Sequence, residues 1–92
     1  MTVSLYEAKY DALRTLLRTI RKEANLTQTQ MAAALGIGQS YVSKIERGEN
    51  FVDVLLFAKW CEVCGLAGGA VLDNFLGASE QSALNARPSS PG

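Results

Sequence analysis

The chain has 92 residues, 48% of them hydrophobic, with nine basic and nine acidic side chains and no histidine. That length holds one small domain with one modest core. No apolar run reaches the ~18 residues of a membrane span, and without histidine the chain lacks the commonest general base and the commonest metal ligand.

Charge is unevenly spread. Residues 1–47 carry seven basic and four acidic side chains, and residues 48–92 carry two basic and five acidic ones. The first half can face an anion; the second is poorly suited to it. The N-terminus shows no basic segment followed by an apolar one, so no secretory signal is expected. The expected location is cytoplasmic, with Cys61 and Cys64 as reduced thiols.

Helices are predicted in succession, and no period-two strand pattern occurs. Ser4 with Glu7 forms a capping box, and Leu13, Leu16, Leu17, Ile20 and Ala24 follow at helical spacing. The first helix is predicted over Leu5–Ala24, stopped by Asn25. Thr27 and Gln30 repeat the capping logic for a second helix that Gly36 ends. A third starts near Gln39, with Val42 and Ile45 on one face and Gly48 as its stop. Asp53 caps a fourth, Val54–Cys64, ended by Gly65. Its core face is read as Val54, Phe57, Ala58, Cys61 and Cys64. A short fifth helix is expected over Gly69–Leu76, weakened by Gly68 and Gly69. From Gly77 the chain turns small, polar and Pro/Ser-rich, the composition of a flexible tail over 77–92.

The second and third helices carry a spacing that can be checked. Counting from Gln28, the fourth, eighth, tenth, fifteenth and eighteenth positions are Met31, Leu35, Ile37, Val42 and Ile45, all apolar. The fifth is Ala32, small where two helices would cross, and the ninth is Gly36, in the turn. Two short helices joined by Gly-Ile-Gly and packed through small residues form a helix-turn-helix.

The stretch LTQTQMAAALGIGQSYVSKIERGEN, Leu26 to Asn50, resembles the Cro/lambda-repressor type of helix-turn-helix, the XRE family. LTQ at Leu26–Gln28 and SKIERGE at Ser43–Glu49 carry the likeness, which extends from about Leu13 to Leu76. It implies an all-α, five-helix lambda-repressor-like DNA-binding domain over residues 1–76. The implied function is sequence-specific transcriptional regulation, as a repressor, on a near-palindromic operator read by a dimer through the major groove of double-stranded DNA. By that resemblance Gln39, Ser40 and Lys44 face base edges: an amide suits adenine, a hydroxyl several bases, an ammonium guanine. Gln28, Tyr41, Ser43 and Asn50 are assigned to the DNA backbone, and Arg21 with Glu46 to an ion pair between the first and third helices. Arg47 is left between phosphate and solvent. One departure is Gly38, where the family often has Ser or Thr. Gly costs only a few tenths of a kcal/mol as a cap, but a hydroxyl for phosphate is lost.

The fourth helix has an apolar surplus. Leu56, Trp60 and Val63 form a second stripe at spacings of four and three, joined by Leu72 and Phe75 from the fifth. This is read as a homodimer interface; the alternative is that Trp60 caps the core. In CEVC, Cys61 and Cys64 share a helix face, but two thiols fall short of a four-ligand structural zinc site, so no metal and no cofactor is expected. No constellation for an enzyme stands out. The alternative function is an antitoxin or protein-interaction module that uses the fold to bind a protein partner, a toxin or polymerase.

Overall fold

The computed structural model of the chain describes residues 5–86, with side chains through residue 77. Five helices follow one another: α1 (Leu5–Glu23), α2 (Gln28–Leu35), α3 (Gln39–Glu46), α4 (Val54–Val63) and α5 (Gly68–Ala86). No strand occurs among the described residues. The all-α expectation and the placement of the helix-turn-helix at α2 and α3 hold.

Local chemistry accounts for most boundaries. Asn25 stands at φ 60 after α1, a left-handed position that Asn tolerates better than most side chains. Ser4, the expected cap of α1, lies outside the described residues. Thr27 and Gln30 make both bonds of the capping box on α2: Thr27 Oγ1 accepts from the Gln30 N–H at 3.0 Å, and Gln30 Oε1 accepts from the Thr27 N–H at 2.9 Å. Gly36 closes α2 at φ 73, its N–H turned back to the last carbonyls. Gly38 opens α3 with no side-chain cap bond. Asp53 caps α4, its Oδ1 accepting from the Leu56 N–H at 2.8 Å.

Eight residues are too few for a helix to stand alone in water, so α2 and α3 depend on packing. Met31 and Ala32 of α2 and Val42 and Ile45 of α3 bury against Leu17 and Ile20 of α1 and Phe57, Trp60 and Cys61 of α4. Ala32, the small residue expected where α2 and α3 cross, is buried in this core. Burial pushes the Cys61 and Cys64 thiols above the usual range.

Two features correct the sequence reading. The core face of α4 is rotated from the expected one. Trp60 is fully buried, with Nε1 donating to the Leu17 carbonyl at 3.0 Å, while Val54 is 69% exposed and Ala58 is also outside. The inward set is Phe57, Trp60, Cys61 and the half-buried Cys64, at i, i+3, i+4 and i+7. A short apolar helix offers two possible stripes, and the one holding its largest side chain, with a carbonyl available to the indole N–H, goes inward. Trp60 is therefore removed from the expected dimer interface. Leu56, Val63 and Leu72 are half-buried and pack on the core.

The second correction is α5, which runs to Ala86, ten residues past its expected end. The expected flexible tail begins inside this helix: Ala78, Glu80, Gln81, Ala83, Leu84 and Ala86 are good helix formers, and the first proline of the segment is Pro88. Residues 87–92 lie outside the described residues. Gly68 has a positive role at its start. A Cβ there would stand 3.1 Å from Ala58 Cα, so the glycine permits close approach of α5 to α4.

Replacing Trp60 with Ala is expected to cost about 3–5 kcal/mol, near the whole stability of a domain this size. Urea denaturation followed by circular dichroism reads it. A loss below about 1 kcal/mol would contradict the core placement.

Candidate nucleic-acid interface

One face of α3 is turned away from the core. At 3.6 residues per turn, Gln39, Ser40, Ser43, Lys44 and Arg47 fall within an arc of about 140°. Val42 and Ile45 point the other way and are fully buried. Gln39, Ser40 and Lys44 are exposed, so the three residues assigned to base edges do share an open surface. Tyr41 is 42% exposed and lies across the helix from Gln39. Ser43 is half-buried and its hydroxyl accepts from Arg47 Nη1.

The orientation of this face is set from below by an ion pair. Arg21 and Glu46 are 6% and 5% exposed, and they join α1 to α3. Arg21 Nε donates to Glu46 Oε2 at 2.6 Å and Nη2 donates to Oε1 at 3.0 Å. The third guanidinium nitrogen, Nη1, donates to the Leu26 carbonyl at 2.7 Å, which also ties down the turn before α2. Two parallel bonds between planar groups fix the angle between helices as well as their distance. The pair the resemblance implied is present.

A chain of hydrogen bonds leads from this pair to the surface. Gln28 Nε2 donates to Glu46 Oε1 at 3.0 Å, and Gln39 Nε2 donates to Gln28 Oε1 at 2.7 Å. Both ends of the Gln28 side chain are engaged inside the protein. One Nε2 hydrogen is left to it, beside the first two backbone amides of α2, since the Gln30 N–H is taken by Thr27.

Sequence reading missed two supports. Arg14 Nη1 donates to the Glu46 carbonyl at 2.8 Å, closing the C-terminal end of α3. Gly48 turns there at φ 80, and any Cβ would come 2.8 Å from Arg14 Nε. Tyr10 holds the α3–α4 connection: its hydroxyl donates to the Asn50 carbonyl at 3.2 Å and accepts from the Val52 N–H at 3.1 Å. Its ring meets the exposed Phe51 edge-on at 5.0 Å. Arg14 and Arg21 are seven residues apart, two turns along one face of α1. That spacing was the available signal that this face serves the end of α3. Nothing local in the sequence pointed to Tyr10.

Arg47 is paired with Glu49, Nε to Oε2 at 2.9 Å. The Arg47 guanidinium beside Glu49 holds that carboxyl below the usual carboxylate range. An acid paired with Arg47 reduces the positive field offered to phosphate. Among the described residues no three His, Cys, Asp or Glu side chains cluster to hold a metal ion, and no single helix is long and apolar enough to cross a membrane.

Known proteins share this arrangement. A family model described as helix-turn-helix matches residues 17–68, which span α2, α3 and α4 with the last seven residues of α1. The chain is similar to an XRE-family like protein from Pseudomonas syringae pv. tomato str. DC3000, at 38% identity over 80% of this chain and 90% of that one, with a TM-score of 0.76. It is also similar to the clp gene regulator ClgR from Corynebacterium glutamicum, at 28% identity over 84% of this chain and 82% of that one, with a TM-score of 0.67. A second structure of ClgR is 30% identical over 75% of this chain and 88% of that one, with a TM-score of 0.65. A search of curated proteins returns no match.

Cutting the ion pair on one side leaves a charge buried alone. Arg21→Met is expected to destabilise the fold by about 3–5 kcal/mol, whereas the double change Arg21→Met with Glu46→Met recovers most of that loss. Thermal melts of the two variants decide it: equal losses would show that the pair matters for its bulk alone.

Proposed function

The chain belongs to the XRE family of helix-turn-helix proteins, and from that membership we propose a sequence-specific transcriptional repressor that reads double-stranded DNA with α3. The observation that carries the reading is the open face of α3, where Gln39, Ser40 and Lys44 stand exposed over a buried ion pair. A helix so held enters the major groove with its first turn foremost. In that pose Gln39 and Ser40 meet base edges and Lys44 reaches a base or phosphate one turn further on. Gln28, Tyr41, Ser43 and Asn50 flank this face and are proposed to meet the sugar–phosphate backbone, Gln28 with the one N–H left to it.

The proposed working unit is a dimer on a near-palindromic site. Lone Val or Leu side chains on a surface are ordinary, but α4, α5 and the turn between them carry several. Leu55 is 79% exposed on α4, and Leu66 and Leu76 are 42% and 44% exposed before and on α5. Between α1 and α5 a groove of about 400 Å³ is lined by Leu16, Ile20, Leu66, Val71, Asn74 and Phe75. A second copy seated there would cover Phe75 from the expected interface, and Leu56, Val63 and Leu72 serve the core instead. The acidic second half of the chain would then lie away from DNA.

The antitoxin or protein-interaction reading draws on the same apolar surface and on the neutral charge. Salt separates the two. Groove binding loses affinity on a log–log slope of about −0.9 per phosphate contacted. Gln39→Ala is expected to weaken the preferred site by about 1–3 kcal/mol and leave nonspecific binding almost unchanged. Flat, weak binding to every duplex would rule out the regulator. For the dimer, sedimentation velocity at micromolar concentration should show a dimer that Phe75→Glu dissociates. A species that stays monomeric both free and on DNA would exclude it.

A further inference from the structure

We propose that Glu46, a buried residue on the far side of Gln28 from the groove, sets the hydrogen-bonding polarity of Gln39 and so favours adenine over guanine at the base pair Gln39 reads. The inference rests on the DNA-binding reading and deepens it, by naming two positioning residues, Glu46 and Gln28, for one base contact.

The argument is one of donors and acceptors. A carboxylate only accepts. Both Glu46 oxygens take hydrogens from Arg21, and Oε1 also takes one from Gln28 Nε2. The end of the Gln28 amide that faces Glu46 must therefore be the NH2. This turns Gln28 Oε1 outward, where a carbonyl oxygen again only accepts. Gln39 must meet it with its own NH2, and does so at 2.7 Å. Side-chain amides normally turn over between two near-equivalent poses. Here a fixed negative charge removes that freedom at both glutamines in turn.

The consequence falls on what Gln39 has left. One Nε2 hydrogen is spent on Gln28. One N–H and the carbonyl oxygen remain to Gln39. In the major groove adenine shows an acceptor at N7 beside a donor at N6, which that pair matches. Guanine shows two acceptors, N7 and O6. Gln39 can satisfy one of them, and its carbonyl oxygen is then set against the other. A Gln39 free of the relay could turn over, or spend both hydrogens on guanine. The other way of joining the glutamines, with Gln28 donating to Gln39 Oε1, would leave Gln39 both hydrogens and favour guanine. Glu46 excludes it.

The test uses the full chain and a site selected from random duplex DNA, with the Gln39 pair identified as the one whose preference Gln39→Ala erases. Gln28→Met cuts the relay while leaving Arg21 and Glu46 paired, so folding is not at stake. Expected is a fall of roughly fivefold or more in the adenine-over-guanine ratio at that pair alone, the size of one good base contact. The same loss on every sequence would make Gln28 a phosphate contact only and overturn the proposal. Side-chain amide NMR of the free protein gives a second readout. One Gln39 Nε2 proton should exchange slowly in the wild type and fast in Gln28→Met; fast exchange in both also overturns it. A wild type that selects no sequence overturns the DNA-binding reading and this inference together, whatever the exchange data show.

Discussion

The bidentate contact of Arg21 with Glu46 is the constraint on which the rest depends. Removing a carboxylate and a guanidinium from water is costly, and their attraction offsets that cost only with good geometry and further hydrogen bonds. Both conditions are met. The guanidinium gives two bonds to Glu46 and one to the Leu26 carbonyl, and Glu46 takes a further one from Gln28. Apolar residues of the same volume would hold α1 to α3 as firmly, but would allow the helices to slide. A planar pair does not. Its gain lies in orientation, and a recognition helix needs orientation above all.

The other supports act on the same helix. Ala32 of α2 is buried in the core it shares with α3, and Arg14 holds the carbonyl end of α3 against Gly48. Tyr10 fixes the connection that follows. The helix has only eight residues and an uncapped start at Gly38, so little of its stability is its own. It is held from α1 at its end, from α2 along its side and from the core beneath. Among the exposed residues of this face, Gln39 is held through Gln28, and Arg47 is engaged by Ser43 and Glu49.

What was legible in the sequence was what local chemistry decides. Thr27 with Gln30, Gly36, Asp53 and the apolar spacing from Met31 to Ile45 each act within a few residues, and the helix-turn-helix followed from them. The ion pair was legible only through family resemblance, since nothing local links residues 25 apart. The face of α4 was misread because ten residues with eight apolar side chains admit two stripes. Choosing between them requires knowing that Leu17 offers a carbonyl to the indole of Trp60. The end of α5 was misread for another reason: the Pro and Ser residues past Arg87 coloured the reading of helix formers before them. The Gln28–Gln39 bond spans eleven residues and two helices, and no periodicity encodes it.

The neutral net charge bears on how such a protein discriminates. A strongly basic binder gains affinity for any duplex from its phosphate contacts, and the background of nonspecific sites rises with it. Here the positive charge is modest, Arg47 is already engaged by Glu49, and Gly38 supplies no hydroxyl at the groove. On the DNA-binding reading proposed above, backbone anchoring of this kind is weak, and the burden falls on base edges and their geometry. Rigid geometry is what the buried pair and its relay provide. On that reading a low-charge surface and a tightly oriented helix are two sides of one arrangement: little attraction to DNA in general, and a fixed set of donors and acceptors for the preferred sequence.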